Sequence, residues 1–138
     1  MKHMRRICPV LGLLVLSSCA LTPPDVTGAG TQLEVRQIQT REYDTLDRAM
    51  TMRSVIATLQ DLGFTIDQAD AELGTITATR LDEYTMRMTV TVAQREGKRI
   101  SVRANARIGE NPVTDAATYQ DFFVALDKAM FLTLHKVD

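Results

Sequence analysis

Apolar and polar residues alternate without a break along two neighbouring stretches of this chain. Tyr84, Met86, Met88, Val90 and Val92 alternate with Thr85, Arg87, Thr89, Thr91 and Ala93. After Glu96-Gly97-Lys98 the period resumes, with Ile100, Val102, Ala104, Ala106 and Ile108 set against Arg99, Ser101, Arg103, Asn105 and Arg107. A period of two on successive runs joined by a glycine turn predicts an antiparallel hairpin with one buried face. Upstream, Leu46, Ala49, Met52, Val55, Ile56, Leu59 and Leu62 recur at three and four residues. That spacing predicts a helix, capped by Asp44 or Thr45 and stopped at Gly63. Leu33 to Arg41 reads as a first strand, in which Val35 and Ile38 break alternation and mark a bulge. Phe64, Ile66 and Gln68 open a second strand, Asp70 to Gly74 form a turn, and Thr75 to Arg80 form a third strand through Ile76 and Ala78. Asn111-Pro112 closes the hairpin region. Thr114 or Asp115 then caps a last helix whose Tyr119, Phe122, Phe123, Leu126, Met130 and Leu134 share one side.

The expected order is strand, helix, four strands, helix. Two amphipathic helices must cover the apolar sheet face, since no other element is available to do so. The expected fold is therefore a two-layer α+β domain, an antiparallel sheet of about five strands with two helices on one face. Its other face, rich in Thr, Ser, Asn and Arg, is left to meet water or a partner.

The first 18 residues follow a different pattern. Lys2, Arg5 and Arg6 precede an apolar run from Ile7 to Leu16. A basic start and an apolar stretch of about 7–15 residues make a secretory signal, whereas a membrane span needs about 20. The run ends in Leu16-Ser17-Ser18-Cys19, which resembles the bacterial lipobox. That resemblance implies cleavage between Ser18 and Cys19, a diacylglycerol on the Cys19 sulfur, and acylation of the new amine. Two or more acyl chains meet the requirement for stable anchoring that a single chain fails. Ala20, where an inner-membrane lipoprotein of the well-studied kind has Asp, points to the outer membrane. Ala20 to Thr31, with Pro23-Pro24, Gly28 and Gly30, reads as a tether. The expected organisation is a signal over 1–18, a lipidated Cys and tether over 19–31, and one domain over 32–138.

Cleavage changes the composition. Removing Lys2, Arg5 and Arg6 takes the 16 basic residues to 13 against 17 acidic ones, a formal −4 where the whole 138-residue chain carries −1. Neither balance is that of a nucleic-acid binder. Cys19 becomes the only cysteine, committed to lipid, so no disulfide is expected in an oxidising compartment. His135 is the only histidine left, and Ser54 and Ser101 the only serines. A Ser-His-Asp triad or a His/Cys zinc site is not readily built from that inventory, so neither an enzyme nor a metal or other cofactor is expected.

Arg87, Arg99, Arg103 and Arg107 fall on the polar side of the hairpin, and arginine forks bind phosphate or carboxylate. The alternative is a solvated face whose charges discourage aggregation. Glu110, Asp115, Asp121 and Asp127 read as capping and solvated carboxylates. His135 reads as a cation at a helix end, and Met50, Met52, Met86, Met88 and Met130 as core filler or the lining of a cavity. Phe131 or Leu132 exceeds what one stripe needs and would form part of a contact patch.

Several stretches resemble a group of small Gram-negative outer-membrane lipoproteins of unknown function. They are Arg41-Glu42-Tyr43, Leu59-Gln60-Asp61-Leu62-Gly63-Phe64-Thr65-Ile66, Leu73-Gly74-Thr75-Ile76 and Tyr119-Gln120-Asp121-Phe122-Phe123. The element order is also similar to the helix-grip domains of BamC, a lipoprotein of the β-barrel assembly machinery. Together these likenesses imply a lipid-anchored, periplasm-facing protein acting as a non-catalytic interaction or assembly module with an envelope protein partner. The other expectation is binding of a lipid or other apolar ligand in a groove between helix and sheet.

Overall fold

The computed structural model describes residues 32–135. The signal, the Ser18/Cys19 cleavage and lipidation site and the tether lie outside the described residues.

The elements run α1 (Gln32–Ile38), β1 (Thr40–Tyr43), α2 (Arg48–Asp61), β2 (Thr65–Asp70), β3 (Thr75–Leu81), β4 (Thr85–Arg95), β5 (Arg99–Ile108), β6 (Asn111–Pro112) and α3 (Ala116–Leu134). The sheet is antiparallel in the order β1-β5-β4-β3-β2, with the two-residue β6 also pairing β5. This is an α+β fold of two layers. Ile76, Ala78, Met88, Val90, Val92, Ile100, Val102 and Ala104 on the sheet face Val55 and Leu59 of α2 and Tyr119, Phe122, Phe123 and Leu126 of α3 in one core.

The hairpin forms as its alternation requires. Met88 to Val92 and Ile100 to Ala106 bury their even-numbered side chains, in a register that sets Val90 against Ala104 and Val92 against Val102. Tyr84 departs from the pattern. It lies outside β4 and is 61% exposed, because the β3–β4 connection turns there.

The first strand is a correction. Residues 32–38 are helical and only Thr40–Tyr43 is strand. The three-residue step from Val35 to Ile38, read above as a bulge, is the spacing of one helix face, and Gln, Leu, Glu and Arg all favour a helix. The α2 cap is Asp47, whose side chain accepts from the Met50 N–H at 2.8 Å, while Thr45 Oγ1 accepts from the Asp47 N–H and shapes the approach. Leu46 therefore stands outside the helix and is exposed, and Ala49, in the first turn of α2, is exposed as well. Because α2 packs against both the sheet and α3, its buried face is wider than the apolar stripe and takes in Thr51, Ser54 and Thr58. In β2 the register shifts between Ile66 and Gln68, which turns Gln68 away from the core. At the far end Leu134 is exposed, since α3 there runs past the sheet.

Two turn residues are forced. Asp115 caps α3 through the Thr118 N–H, which with other donors holds its carboxyl below the usual carboxylate range. Gly74 adopts a left-handed φ of +72°, and a Cβ there would lie 2.3 Å from the Val92 carbonyl oxygen. Arg48 occupies the same corner, donating to the carbonyls of Glu72 and Val92 and so tying the start of α2 to the β2–β3 turn.

Candidate functional site

All three helices leave one side of the sheet uncovered at β3, β4 and β5, and the odd-numbered residues of those strands point there. Thr75, Thr77, Thr79, Thr85, Thr89 and Thr91 form a band of hydroxyls across β3 and β4. Beside it, β4 and β5 carry Arg87, Arg95, Arg99, Arg103 and Arg107 and no acidic residue. Alternation places all five arginines on the bare face.

The register brings these charges together. Arg87 is directly opposite Arg107, Arg95 is opposite Arg99, and Arg103 lies between Thr91 of β4 and Thr40 of β1. Of the four arginines singled out from the sequence, Arg99 is paired, donating to Glu42 of β1 at 2.7 Å. Arg87, Arg103 and Arg107 make no ion pair among the described residues. Like charges directly opposite on a sheet destabilise it. Alternation carried one step further along β4 leads to Arg95, which the sequence pattern above did not include.

The edge of β5 shapes the surroundings. β1 covers it up to Ala104, whose N–H donates to the Gln39 carbonyl, and β6 covers it from Arg107. Between them lies a notch of about 300 Å³ lined by Gln39, Arg87, Thr89, Asn105, Arg107 and Pro112. A second concavity of about 220 Å³ lies on the other side of the same arginine pair, against Thr85, Gly109 and Glu110.

The buried wall of the notch is held by Tyr119 of α3. Ala106 and Val113 pair across the β5–β6 edge, but only the Val113 N–H reaches the Ala106 carbonyl directly. The return bond runs through the Tyr119 hydroxyl, which accepts from the Ala106 N–H at 3.1 Å and donates to the Val113 carbonyl at 2.6 Å. The same oxygen accepts from Gln39 Nε2 at 3.1 Å. A phenol thus completes the ladder where strand pairing fails and satisfies three buried groups at once. The aromatic stripe of α3 located Tyr119, but its polar end has no signature in sequence.

A second connection joins β1 to α3. Asp127, read above as a solvated carboxylate, instead accepts from Arg41 Nη1 at 2.5 Å and from the Tyr43 hydroxyl at 2.8 Å, while the Arg41 guanidinium lies 4.9 Å from the Phe123 ring. Burial, the hydrogen bond to Asp127 and its charge push the Tyr43 hydroxyl far above the ordinary phenol range, against a smaller opposing effect of Arg41.

Other candidates stand apart. Asp121 is exposed beside the opening between α3 and the sheet, and Glu110 lies on the turn before β6. His135 caps α3, with Nδ1 2.9 Å from the Phe131 carbonyl and its ring stacked on Phe131. Phe131 and Leu132 are both exposed, with Val124 and Leu134 on the same helix. Met50, Met52, Met88 and Met130 are core residues, and Met86 is half-buried. The space between Leu62, Phe64, Met86, Met88 and Phe122 amounts to about 100 Å³. Small-molecule sites run to roughly 300–1,000 Å³. Among the described residues no three His, Cys, Asp or Glu side chains are placed to share a metal ion, and no helix is long and apolar enough to cross a membrane.

No protein-family model and no curated protein matches this chain.

Proposed function

We propose that this chain is a lipid-anchored, periplasm-facing outer-membrane protein that serves as a non-catalytic interaction or assembly module of the cell envelope. The address rests on the basic-apolar signal and the Leu16-Ser17-Ser18-Cys19 motif. The interaction role rests on one observation: five arginines and no acid occupy the helix-free face of β4 and β5, two of the cross-strand pairs are Arg opposite Arg, and of the five only Arg99 has an ion-pair partner among the described residues, Glu42 of the adjacent β1. A sheet that needed this face only to be soluble would gain more from alternating signs, which attract across strands instead of repelling. The face is built to receive negative charge.

The apolar-ligand reading has less support, because among the described residues the opening between α3 and the sheet at the end of α2 is about 100 Å³ and is lined in part by Arg80 and Asp121. The intact mass of the processed protein tests the anchor, with a diacylglyceryl and an acyl group on Cys19 expected. Photo-crosslinkers placed at Arg103 and Phe131 in living cells test the module. Reproducible adducts to an envelope component are expected. Recovery of the uncoupled chain alone from both positions, across several growth conditions, would overturn the reading.

A further inference from the structure

We propose that the bare face of β4 and β5, centred on Arg87 and Arg107, docks on the phosphates of an anionic lipid bilayer. The proposal rests on the reading of that face as a binding surface and goes on to name the ligand; the anchor at Cys19 agrees with it but is a separate reading.

Arginine donor chemistry fits an oxyanion. Arg87 and Arg107 present two guanidinium forks from directly opposed positions, with the Asn105 amide and the Thr89 hydroxyl on the next cross-strand pair of the same face. The two non-bridging oxygens of a lipid phosphate carry about four lone-pair sites, enough to accept from both forks.

Geometry selects an array over a single ligand. Arg99 and Arg107 are eight residues apart on β5. At ~3.4 Å per residue that is about 27 Å, too far for one phosphate to bridge. Head groups spread over a membrane surface can engage Arg87, Arg107, Arg103 and Arg95 together. The face also lacks what other polyanions and proteins need. On β4 and β5 it holds no aromatic side chain on which a base could stack, and no apolar side chain larger than Ala93 to anchor a protein interface.

The point of attachment agrees. Gln39, where the chain leaves α1 for β1, lines the same notch as Arg87 and Arg107. Twelve residues, 20–31, separate Cys19 from α1. Fully extended they reach at most about 43 Å, and α1 adds about 10 Å between its start and Gln39, so the arginine end of the domain stays within roughly 55 Å of the bilayer.

The test uses the processed full chain in uncharged detergent micelles, read by the backbone amide spectrum. Phosphatidylglycerol added to the micelles is expected to shift Arg87, Thr89, Asn105 and Arg107 saturably, with loss of the effect in about 1 M NaCl, where the Debye length is about 3 Å. Phosphatidylcholine is expected to leave them in place. R87S/R107S should raise the half-saturating lipid roughly 30-fold, about fivefold per arginine. R53S, which removes a charge from α2 on the other layer, should not. Dispersed amide signals report that each variant is folded. Shifts that fall elsewhere, that survive R87S/R107S, or that phosphatidylcholine equally produces would overturn the proposal. Saturation of the same amides by inorganic phosphate at matched concentration would reassign the site to a soluble anion and overturn the bilayer assignment. An envelope protein that crosslinks at Arg103 but not in R87S/R107S would overturn the lipid assignment while leaving the interaction module standing. The titration does not require acylation, so an unmodified Cys19 would sink the anchor alone.

Discussion

The two faces of this sheet come from the same two strands and differ in nearly every physical respect. On the helix side, Val90, Val92, Ile100, Val102 and Ala104 are fully buried, and the Tyr119 hydroxyl partners polar groups that enter, although the buried Thr58 hydroxyl of α2 has no hydrogen-bond partner among the described residues. On the bare side the same backbone carries threonines and five arginines, two pairs of which face each other in register. The first face is organised for stability. The second gives some stability up by setting like charges side by side, the pattern on which the proposed docking of a negative surface rests. Removal of solvent makes each atom on the helix side consequential, whereas on the bare side only charge counts.

Mutations should divide along that line. The largest loss is expected for Leu126→Ala, which opens a cavity beneath α3 at a fully buried position. A cost of about 2–5 kcal/mol is expected. Its counterpart on the bare face, Thr91→Ala, should stay within about 0.5 kcal/mol. Urea denaturation of both variants measures the contrast, and similar losses would break it. Tyr119→Phe should come next, since it leaves the Ala106 N–H, the Val113 carbonyl and the Gln39 amide without their shared partner. About 1–3 kcal/mol is expected, more than an ordinary hydrogen bond returns.

Tyr43 sharpens the comparison at the sheet edge. Its folded-state pKa is raised, so the neutral phenol favours folding fully below the unfolded value of 10.0, and that contribution falls away as pH rises above it. The melting temperature of the wild-type chain should therefore drop more steeply above that pH than that of Tyr43→Phe. At neutral pH the same substitution should cost about 1 kcal/mol, for the bond to Asp127. The smallest effect has the opposite sign. Arg107→Thr relieves the repulsion with Arg87 and should stabilise the isolated protein by about 0.2–1 kcal/mol at low salt. The gain should vanish in high salt, where the charges are screened. A destabilised Arg107→Thr would mean that the arginine makes contacts within the domain that its register does not suggest.

Much of the helix-covered face was legible in the chain. Period-two runs and the aromatic stripe of α3 named most of the core, because burial on a regular element leaves a periodic trace. Local pattern misleads where two spacings compete. Val35 and Ile38 suit a helix face or an irregular strand, and seven residues are too few to decide between them. At α2, Asp44 and Thr45 precede the apolar stripe and Asp47 falls just after its first member, Leu46, and which of them caps depends on the turn that Thr45 sets up. Asp127 could not be read as a partner of Arg41 and Tyr43, since 84 residues separate Tyr43 from it and no local rule links them.

The arginine face lies between these cases. Alternation alone put Arg87, Arg99, Arg103 and Arg107 on one side, because a strand's side chains must point to opposite faces in turn. Sequence by itself therefore determined the hairpin, the two covering helices and the identity of the uncovered residues, all of which follow from local periodicity and the need to bury an apolar face. Only the tertiary structure decided the rest. It placed β1 beside β5, opposed Arg87 to Arg107, paired Arg99 with Glu42, and broke the β5 edge into a notch closed by Tyr119. Register and edge pairing are set by contacts between residues far apart in the chain, and no spacing along it records them.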